Sequence, residues 1–487
     1  MEFLAVIGQA VKSFIDIFGV TILVPIVIFI LSLALRVPVK KAFRAAIFMA
    51  IGLTAFNLIL NTLWGQMNTV MVLISNNVGR TFDVVDIGWP AAAAIVYSND
   101  LGISYFIVGL VWNLILFFTK VTDTFQPTDI WNYYYFVVWG IMVQFVTGSF
   151  VIGLLACMFM NLIVLFIADF LAPALQEYYG YEGLTCTCVC VTNIAILAGL
   201  IRWLINKLHI KEVQLNPEKI QEKLGFLGEP AMIGIIMGLI MGVVAYFPDL
   251  TNPSLIAETL GLKIFPFALM LAAMLVIYPT VSGMFVKGLI PVSQSLNARV
   301  RSGKINRKAF NIGIDPAVYF GETATLTTGL LLIPILIITA IILPGNRIIP
   351  VADIPAMPFM AIGAIAVFKG NILNATITGT IWYSIVHYIA TDTAALFTQM
   401  AENAGQALPE GATYITSWCV SAIPPCYVVM KAFSAPGALK FILMAVCVVV
   451  YVLALWHFKT HRKGWFMFFG ASEEYTDQYM NVAAQNA

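Results

Sequence analysis

The stretch Val85-Asp86-Ile87-Gly88-Trp89-Pro90-Ala91 decides how this chain folds, and Ile312-Gly313-Ile314-Asp315-Pro316-Ala317 is its counterpart further along. Each stretch places Asp, Gly and Pro together inside an otherwise apolar region. Gly and Pro interrupt helices, and interrupted backbone is tolerated at membrane depth only where protein or a water-filled cavity surrounds it. Two such interruptions in two halves of a chain are typical of a transporter with a duplicated fold, whose binding site lies between them.

The composition places most of the chain in lipid. Of its 487 residues, 60% are hydrophobic and 10% are charged, whereas a soluble domain has about 25% charged residues. We predict an all-α polytopic membrane protein with about ten to twelve transmembrane helices, each about 20 residues long, and two re-entrant hairpins. The clearest spans are Phe14–Arg36, Ala42–Trp64, Leu101–Lys120, Ala231–Phe247, Ile264–Leu289, Leu330–Leu343 and Ala438–His457.

The same sequence argues against several other classes of protein. The net charge of +1 provides no basic field for nucleic acid, so we expect no nucleic-acid partner. The alternating spacing of Cys186, Cys188 and Cys190 is not that of a structural zinc site. No phosphate-binding loop, dinucleotide fingerprint, metal triad or nucleophile–base pair occurs in the sequence. We therefore predict buried thiols and neither a metal nor a cofactor.

Four clusters of basic residues predict the topology, because such clusters favour the cytoplasmic side of a membrane. They are Arg36, Lys40, Lys41 and Arg44; Lys207, Lys211, Lys219 and Lys223; Arg299, Arg301, Lys304, Arg307 and Lys308; and Lys459, Arg462 and Lys463. This pattern predicts an N-terminus outside and a cytoplasmic C-terminus. The stretch around Asp86 is then reached from outside and the stretch around Asp315 from inside, which is an inverted repeat.

Further pairs of similar motifs support the duplication. The separation from Gly88 to Gly313 is 225 residues, and from Asp129-Ile130 to Asp353-Ile354 it is 224. Phe145-Val-Thr-Gly148 parallels Phe368-Lys-Gly-Asn371. As one helix, the apolar run 131–171 would measure about 60 Å, so we predict a break at Gly148 and likewise one near Gly370.

The sequence therefore divides into four parts: a first membrane repeat over 1–206 with a hairpin near 65–100, a connection over 207–228, a second repeat over 229–458 with a hairpin near 311–329, and a cytoplasmic tail over 459–487. The connection is the most charged part. It is either a solvated linker helix or a docking surface for a soluble partner, and the sequence leaves both open.

Ionisable side chains at membrane depth are functional candidates, because an unpaired charge in lipid is costly. Asp86, Asp315 and Glu322 stand out in this respect. The alternative for each is structural: a carboxylate can cap the N-terminus of a half-helix.

Uncharged polar and aromatic residues complete the candidate site. Gln144 and Thr147 share one helical face, and Trp131 and Trp139 could form an aromatic wall for a polyhydroxy ligand. The alternative for Gln144 and Thr147 is a contact between helices. Asn346, in a Pro-Gly-Asn corner, could help to close the cavity. For His387, a buried packing role and a substrate contact both remain open.

Seven motifs in order make the chain resemble a known family, the galactitol-type IIC permease of the phosphoenolpyruvate-dependent sugar phosphotransferase system. They are Asp86-Ile-Gly-Trp-Pro90, Asp129-Ile-Trp-Asn132, Thr147-Gly-Ser149, Lys223-Leu-Gly-Phe-Leu-Gly-Glu-Pro230, Gly313-Ile-Asp-Pro316, Gly321-Glu-Thr-Ala324 and Pro344-Gly-Asn346. The resemblance runs from about residue 15 to about residue 460.

The resemblance implies a bacterial inner-membrane permease, similar in fold to the ascorbate-type IIC permease and usually homodimeric. Such a permease takes a polyol from outside and turns it to the cytoplasm. There a separate IIB protein, itself phosphorylated through IIA, passes a phosphoryl group from its cysteine to the substrate. Because that cysteine lies on another chain, whether the permease counts as an enzyme stays open.

The resemblance also implies which residues line the sugar site. These are Asp86, Trp89, Gln144, Thr147, Asp315 and Glu322. A carboxylate there can orient the attacking hydroxyl or take its proton, and we expect Asp315 to do so, with Glu322 second.

Two departures from the galactitol pattern fall near this site. Glu322 stands where galactitol members carry His, and Leu184-Thr-Cys-Thr-Cys188 replaces an Ile-Pro-His-Gly-like stretch. The expected substrate is therefore galactitol or a related polyol or sugar. The main rival function is an ion-coupled secondary polyol transporter without phosphorylation, and a lipid-modifying membrane enzyme is a third class.

Overall fold

A computed structural model describes residues 20–34, 36–77, 82–126, 130–301, 310–406, 408–409 and 412–484. Asp129 and the basic residues Lys304, Arg307 and Lys308 lie outside these ranges.

Helices make up most of the described chain. Those of eight or more residues are α1 (Val20–Ala34), α2 (Val39–Asn77), α3 (Gly88–Tyr97), α4 (Asp100–Phe118), α5 (Tyr134–Thr147), α6 (Phe150–Tyr179), α7 (Ala195–Lys207), α8 (Pro217–Leu224), α9 (Pro230–Ala245), α10 (Phe265–Arg301), α11 (Thr323–Ile342), α12 (Ile372–Asn403), α13 (Pro424–Phe433), α14 (Leu439–Thr460) and α15 (Glu473–Ala484). Shorter helical pieces are Ile130–Tyr133, Val189–Thr192, Gly225–Gly228, Phe247–Leu250, Ile256–Glu258, Thr259–Ile264, Pro316–Val318, Ile354–Ala356, Met357–Met360, Ile362–Val367, Trp418–Ser421 and Arg462–Phe468.

Several of these helices are long and apolar enough to cross a membrane. Within the described ranges there are six, or seven when the bent pair Met357–Val367 and Ile372–Asn403 counts as one span. The six are Asp100–Phe118, Phe150–Tyr179, Val189–Lys207, Ile256–Ile277, Thr323–Ile342 and Leu439–Thr460. Helices α5 and α9 are apolar but shorter. The predicted class, a helical polytopic membrane protein, is confirmed.

Helix α14 shows why such a chain needs lipid. Its side chains are almost all outside the protein core, and Phe441, Val449 and Trp456 are each more than half exposed. Apolar surface of this extent is unfavourable in water but matches a hydrocarbon environment, in which the helical backbone satisfies its own hydrogen bonds.

Both predicted breaks in the long apolar runs are confirmed. Helix α5 ends at Gly148 with φ +66°, and Ser149 begins α6 by accepting a hydrogen bond on Oγ from the Ile152 N–H at 3.3 Å. In the second half, Gly370 has φ +82°, Asn371 caps α12, and the chain bends by 119° between Val367 and Ile372. Left-handed backbone followed by a side-chain cap is a common way to end one helix and start another.

Two small parallel sheets were not predicted from the sequence. The strands are β1 (Val84–Asp86), β2 (Thr124–Phe125), β3 (Leu184–Cys186), β4 (Asn311–Ile314), β5 (Ile348–Ile349) and β6 (Tyr414–Thr416). The first sheet has the order β5-β1-β6 and the second has the order β2-β4-β3. We call them the Asp86 sheet and the Asp315 sheet, because Asp86 ends β1 and Asp315 directly follows β4.

The two sheets are built reciprocally. In the Asp86 sheet, Val84 of the first half lies between Ile348 and Tyr414 of the second half. In the Asp315 sheet, Ile312 of the second half lies between Phe125 and Leu184 of the first half. The central strand of each sheet therefore comes from one half of the chain and both of its neighbours come from the other.

The end of the chain is folded against the rest. Phe469 stacks on Phe170 of α6 with ring centroids 4.0 Å apart, and its ring packs against Gly199 of α7. Arg202 donates a hydrogen bond to the Met467 carbonyl. We call residues 461–484 the C-terminal segment; the sequence had predicted this region only as a cytoplasmic tail.

Candidate functional site

Asp86 lies at the end of β1, where the chain turns into α3. Its Oδ1 accepts hydrogen bonds from the N–H groups of Gly88 and Trp418, both at 3.2 Å, and its Oδ2 accepts one from the Asp353 N–H at 2.8 Å. Gly88 has φ +79°, and a Cβ there would lie 3.3 Å from Ala352 Cβ, so the motif needs glycine at this position. Asp86 thus joins β1 to two segments of the second half.

Asp353, noted in the sequence only as the counterpart of Asp129, lies beside Asp86 at the same break. Its Oδ1 accepts a hydrogen bond from the Trp89 N–H at 2.7 Å, and its Oδ2 accepts from Ser417 Oγ at 2.7 Å and the Cys419 N–H at 2.8 Å. Asp353 is fully buried and Asp86 nearly so. Within the described residues, five backbone N–H groups and one hydroxyl donate to the pair, and backbone donors at helix starts stabilise such charge.

Asp315 has a more open environment. Its Oδ1 accepts a hydrogen bond from the Ala317 N–H at 2.8 Å, which caps the turn Pro316–Val318, and its Oδ2 accepts one from Asn132 Nδ2 at 3.0 Å. The residue is only partly buried. A carboxylate has about four acceptor positions, so Asp315 can accept further hydrogen bonds from a ligand.

Glu322 begins α11. Its Oε1 accepts a hydrogen bond from the Ala324 N–H at 2.8 Å, and its Oε2 accepts from the N–H and Oγ1 of Thr325 at 2.9 and 2.8 Å. Thr325 Oγ1 also lies 2.9 Å from Tyr179 OH. The structural alternative considered for Glu322, a helix cap, is therefore present, and its predicted contact with a substrate remains a prediction.

Aromatic residues connect the two breaks. Trp89 stacks on Tyr134 with ring centroids 6.3 Å apart and an interplanar angle of 22°. Tyr134 is two residues from Asn132, the hydrogen-bond partner of Asp315. On the other side, Phe320 stacks on Phe359 at 4.1 Å. The segment Asn132–Tyr134 thus contacts both the Asp86 break and the Asp315 break.

Gln144 and Thr147 differ in how their polar atoms are used. Thr147 Oγ1 donates to the Val143 carbonyl at 2.7 Å and accepts from the Ser149 N–H at 3.3 Å, both local contacts. Gln144 Oε1 is buried and has no hydrogen-bond partner within the described ranges, and the same holds for Nε1 of Trp139. Buried polar atoms are usually satisfied, so Gln144 and Trp139 retain capacity for a polar ligand.

His387 and Asn346 make well-defined contacts inside the protein. His387 is buried, its Nδ1 accepts a hydrogen bond from Trp418 Nε1 at 3.1 Å, and its Nε2 lies 3.2 Å from Thr339 Oγ1. Asn346 Nδ2 donates to the carbonyls of Ala340 and Ile348 at 2.8 and 2.7 Å. Both therefore support the Asp86 sheet, and their predicted roles in substrate binding remain untested.

The cysteine-rich stretch lies at the end of β3. Cys186, Cys188 and Cys190 are buried, and the sulfur atoms of Cys188 and Cys190 are 3.2 Å apart. In the part of the chain that the structure describes, no group of three or more His, Cys, Asp or Glu side chains could hold a metal ion.

Comparison with known proteins shows the family of the chain. The family described as "PTS system sugar-specific permease component" matches residues 13–411. The chain belongs to this family. As a IIC permease of the galactitol type, it is a multi-pass protein of the bacterial inner membrane.

Two relatives from Escherichia coli strain K12 show how far the similarity extends. The "PTS system galactitol-specific EIIC component" is 27% identical over 439 residues, covering 90% of this permease and 94% of the relative. A "Putative permease IIC component" is 30% identical over 388 residues, covering 80% and 86% respectively. The family match itself extends over both breaks.

Proposed function

We propose that this permease binds a polyol or sugar, galactitol or a relative, and moves it inward while a phosphorylated IIB partner phosphorylates it. The observation that carries the proposal is Asp315: a carboxylate beside Asn132 at a backbone break, with acceptor positions left over and aromatic residues nearby. Carboxylate and amide groups next to flat apolar rings suit an uncharged polyhydroxy ligand. The similarity to a galactitol-specific relative supports the same class of substrate.

The proposal includes an inverted duplication with about ten to twelve spans and a re-entrant hairpin at each break. Its support is the reciprocal construction of the two sheets, together with the matching breaks after Gly148 and Gly370. The basic clusters favour a cytoplasmic C-terminus and an N-terminus outside. Under this topology the Asp315 break opens toward the side where the phosphoryl donor arrives.

Asp315 is the proposed group that orients the attacking hydroxyl of the substrate or takes its proton, with Glu322 second. Phosphorylation adds about two negative charges to the product near neutral pH. Asp315 and Glu322 then repel the product, which favours its release. Asp86, Trp89, Gln144, Thr147, Asn346 and His387 are the other proposed substrate-site residues.

The proposed partners are a separate IIB protein, through it IIA, and a second copy of the permease in a homodimer. The family to which the chain belongs supports the first two, since its members are components of the phosphotransferase system. Residues 207–228 are one candidate surface for a soluble partner, because most of their side chains are exposed.

Uptake by sealed vesicles tests the function. Vesicles that contain the permease are supplied with labelled galactitol or sorbitol, with and without phosphorylated IIB. We expect phosphorylated product inside only when phospho-IIB is present. Free polyol accumulated under an ion gradient, with no dependence on phospho-IIB, would identify the chain as a secondary transporter instead.

Glu322→His tests the substrate assignment in the same vesicles. Because the resemblance implies His at this position in galactitol-type permeases, we expect the variant to change the ratio of uptake rates between polyols while the protein still inserts. An unchanged substrate profile would remove Glu322 from the proposed site. Glu322→Gln, which keeps the length and an acceptor oxygen for the helix cap, is the matched control.

A further inference from the structure

The C-terminal segment contacts the start of the Asp315 sheet at two strands. Arg462 forms an ion pair with Asp123, the residue before β2. Tyr479 OH lies 3.0–3.1 Å from both side-chain polar atoms of Asn311, the first residue of β4. Asn311 in turn accepts a hydrogen bond from Gln176 Nε2 at 2.8 Å, so this contact lies in a buried network.

The same network extends to β3. Gln176 Oε1 accepts a hydrogen bond from the N–H of Gly183, the residue before β3, at 3.0 Å. Next to Gln176, Glu177 accepts a hydrogen bond from the Ser472 N–H at 2.7 Å. All three strands of the Asp315 sheet are therefore connected at their starts to the C-terminal segment.

Arg462 also compensates buried negative charge. Asp123 donates its N–H to the carboxylate of Asp169, which lies buried within α6 and accepts further hydrogen bonds from Thr122 and Thr124. Lys459 lies 3.5 Å from Asp123 as a second cation. Removing one partner of a buried charge pair leaves the other uncompensated, so Arg462 is needed where β2 begins.

The start of the Asp86 sheet is joined in a different way in the described residues, by an arginine next to one of its own strands. Arg347, the residue before β5, pairs with Asp83, the residue before β1 in the described chain, and its guanidinium lies 4.9 Å from the ring of Tyr414, which begins β6. Arg347, directly before β5, thus joins the starts of all three strands. The Asp315 sheet receives the equivalent arginine from residue 462, after the last long helix.

We propose that the C-terminal segment is a latch that sets the position of β4 and, through it, of Asp315, with Arg462 and Tyr479 as positioning residues. Asn311 and Asp315 are four residues apart, about 13 Å along extended backbone. A shift at Asn311 is therefore passed directly to the substrate carboxylate. The link to substrate rests on the proposed function; the mechanical link between the latch and β4 does not.

Hydrogen–deuterium exchange of the full-length permease in lipid nanodiscs tests the latch. Tyr479→Phe removes only the hydroxyl, and Tyr475→Phe on the same helix is the matched control. Losing the partly buried hydrogen bonds of this hydroxyl raises local opening by at least about fivefold, so we expect faster exchange in residues 311–318 of Tyr479→Phe. We expect no change in residues 84–88 of the Asp86 sheet. Equal exchange in all three proteins, or a rise in both sheets, would overturn the proposal.

Arg462→Gln is the stronger variant, and Tyr479→Phe keeps the test decisive if Arg462→Gln does not fold. The second readout is phospho-IIB-dependent uptake, in which we expect Tyr479→Phe to lower the maximal rate about fivefold with a smaller change in KM for the polyol, because Asp315 is the proposed base. Faster exchange in 311–318 without any change in uptake kinetics would uphold the latch as a positioning element of β4 and count against Asp315 as a substrate residue.

Discussion

The two breaks have the same sequence elements but different surroundings. At the first, Asp86 and Asp353 are buried and accept six hydrogen bonds from three segments. At the second, Asp315 is partly buried and accepts two from the residues that the structure describes. A carboxylate whose acceptor positions are filled by backbone N–H groups holds structure, whereas one with positions to spare can bind a ligand. We therefore expect substitutions of the carboxylates to affect mainly stability at the first break and mainly transport at the second.

The largest expected effect is on the stability of the first break. Asp353→Ala removes a fully buried acceptor and leaves the donors of Trp89, Ser417 and Cys419 unsatisfied. Each such group costs about 1–3 kcal/mol, so we expect a loss of at least about 3 kcal/mol. The loss of stability is measured by thermal unfolding in detergent, in which the fraction of protein that stays monodisperse is recorded at each temperature. A melting temperature equal to that of the wild type would show that the carboxylate pair does not hold this break.

The second expected effect is on transport at the second break. Asp315→Asn keeps the shape of the side chain and an acceptor for the Ala317 N–H but removes the charge. Because general-base groups contribute about 10²–10⁴-fold, we expect phospho-IIB-dependent uptake to fall by at least about 100-fold while the protein inserts and unfolds normally. Wild-type uptake would refute the role given to Asp315.

A smaller effect is expected where the two breaks meet. Trp89→Ala removes the ring that stacks on Tyr134, and an aromatic pair contributes about 0.5–1.5 kcal/mol. We expect substrate affinity to fall about two- to tenfold, with Trp89→Phe close to the wild type. Affinity measured by isothermal titration with the polyol provides the check, and an unaltered value would make Trp89 a packing residue only.

The smallest expected effect is the pH dependence of stability at the edge of the Asp86 sheet. The hydrogen bond from Arg347 lowers the pKa of Asp83 below its usual value of 3.8. The pair therefore contributes to stability above that value and loses its contribution as the pH falls through the lowered pKa. Because both side chains are about 40% exposed, we expect less than about 1 kcal/mol. Asp83→Asn should have a slightly lower melting temperature than the wild type at pH 7, and the two melting temperatures should lie closer together near pH 3. An equal difference in melting temperature at both pH values would contradict a stabilising ion pair between Arg347 and Asp83.

Much of the helical framework could be predicted from the sequence because apolar length and Gly positions determine it locally. The ends of α4, α9 and α14 lie close to the predicted spans, and Gly148 breaks the chain where expected. The carboxylates at both breaks were recognised because charge is rare in an apolar sequence.

The sheets and their arginines could not be predicted in this way. Strands of two to four residues carry no readable alternation, and their neighbours lie far away in the chain: Val84 pairs with Ile348 and Tyr414. Asp353 was noted only as the counterpart of Asp129, because its partners Trp89 and Ser417 lie 264 and 64 residues away. Arg462 belonged to a cluster that indicates topology, and only folding brings it to Asp123.

The reciprocal sheets also have a consequence for biosynthesis. Strand β1 acquires both of its neighbours only after Thr416 has been translated, and until then the Asp86 loop presents unpaired backbone groups. The first half of the polypeptide therefore completes its sheet only after strands from the second half have been synthesised. Because each sheet takes strands from both halves, we expect a gene split between residues 207 and 228 to yield active protein only when both fragments are produced in the same cell.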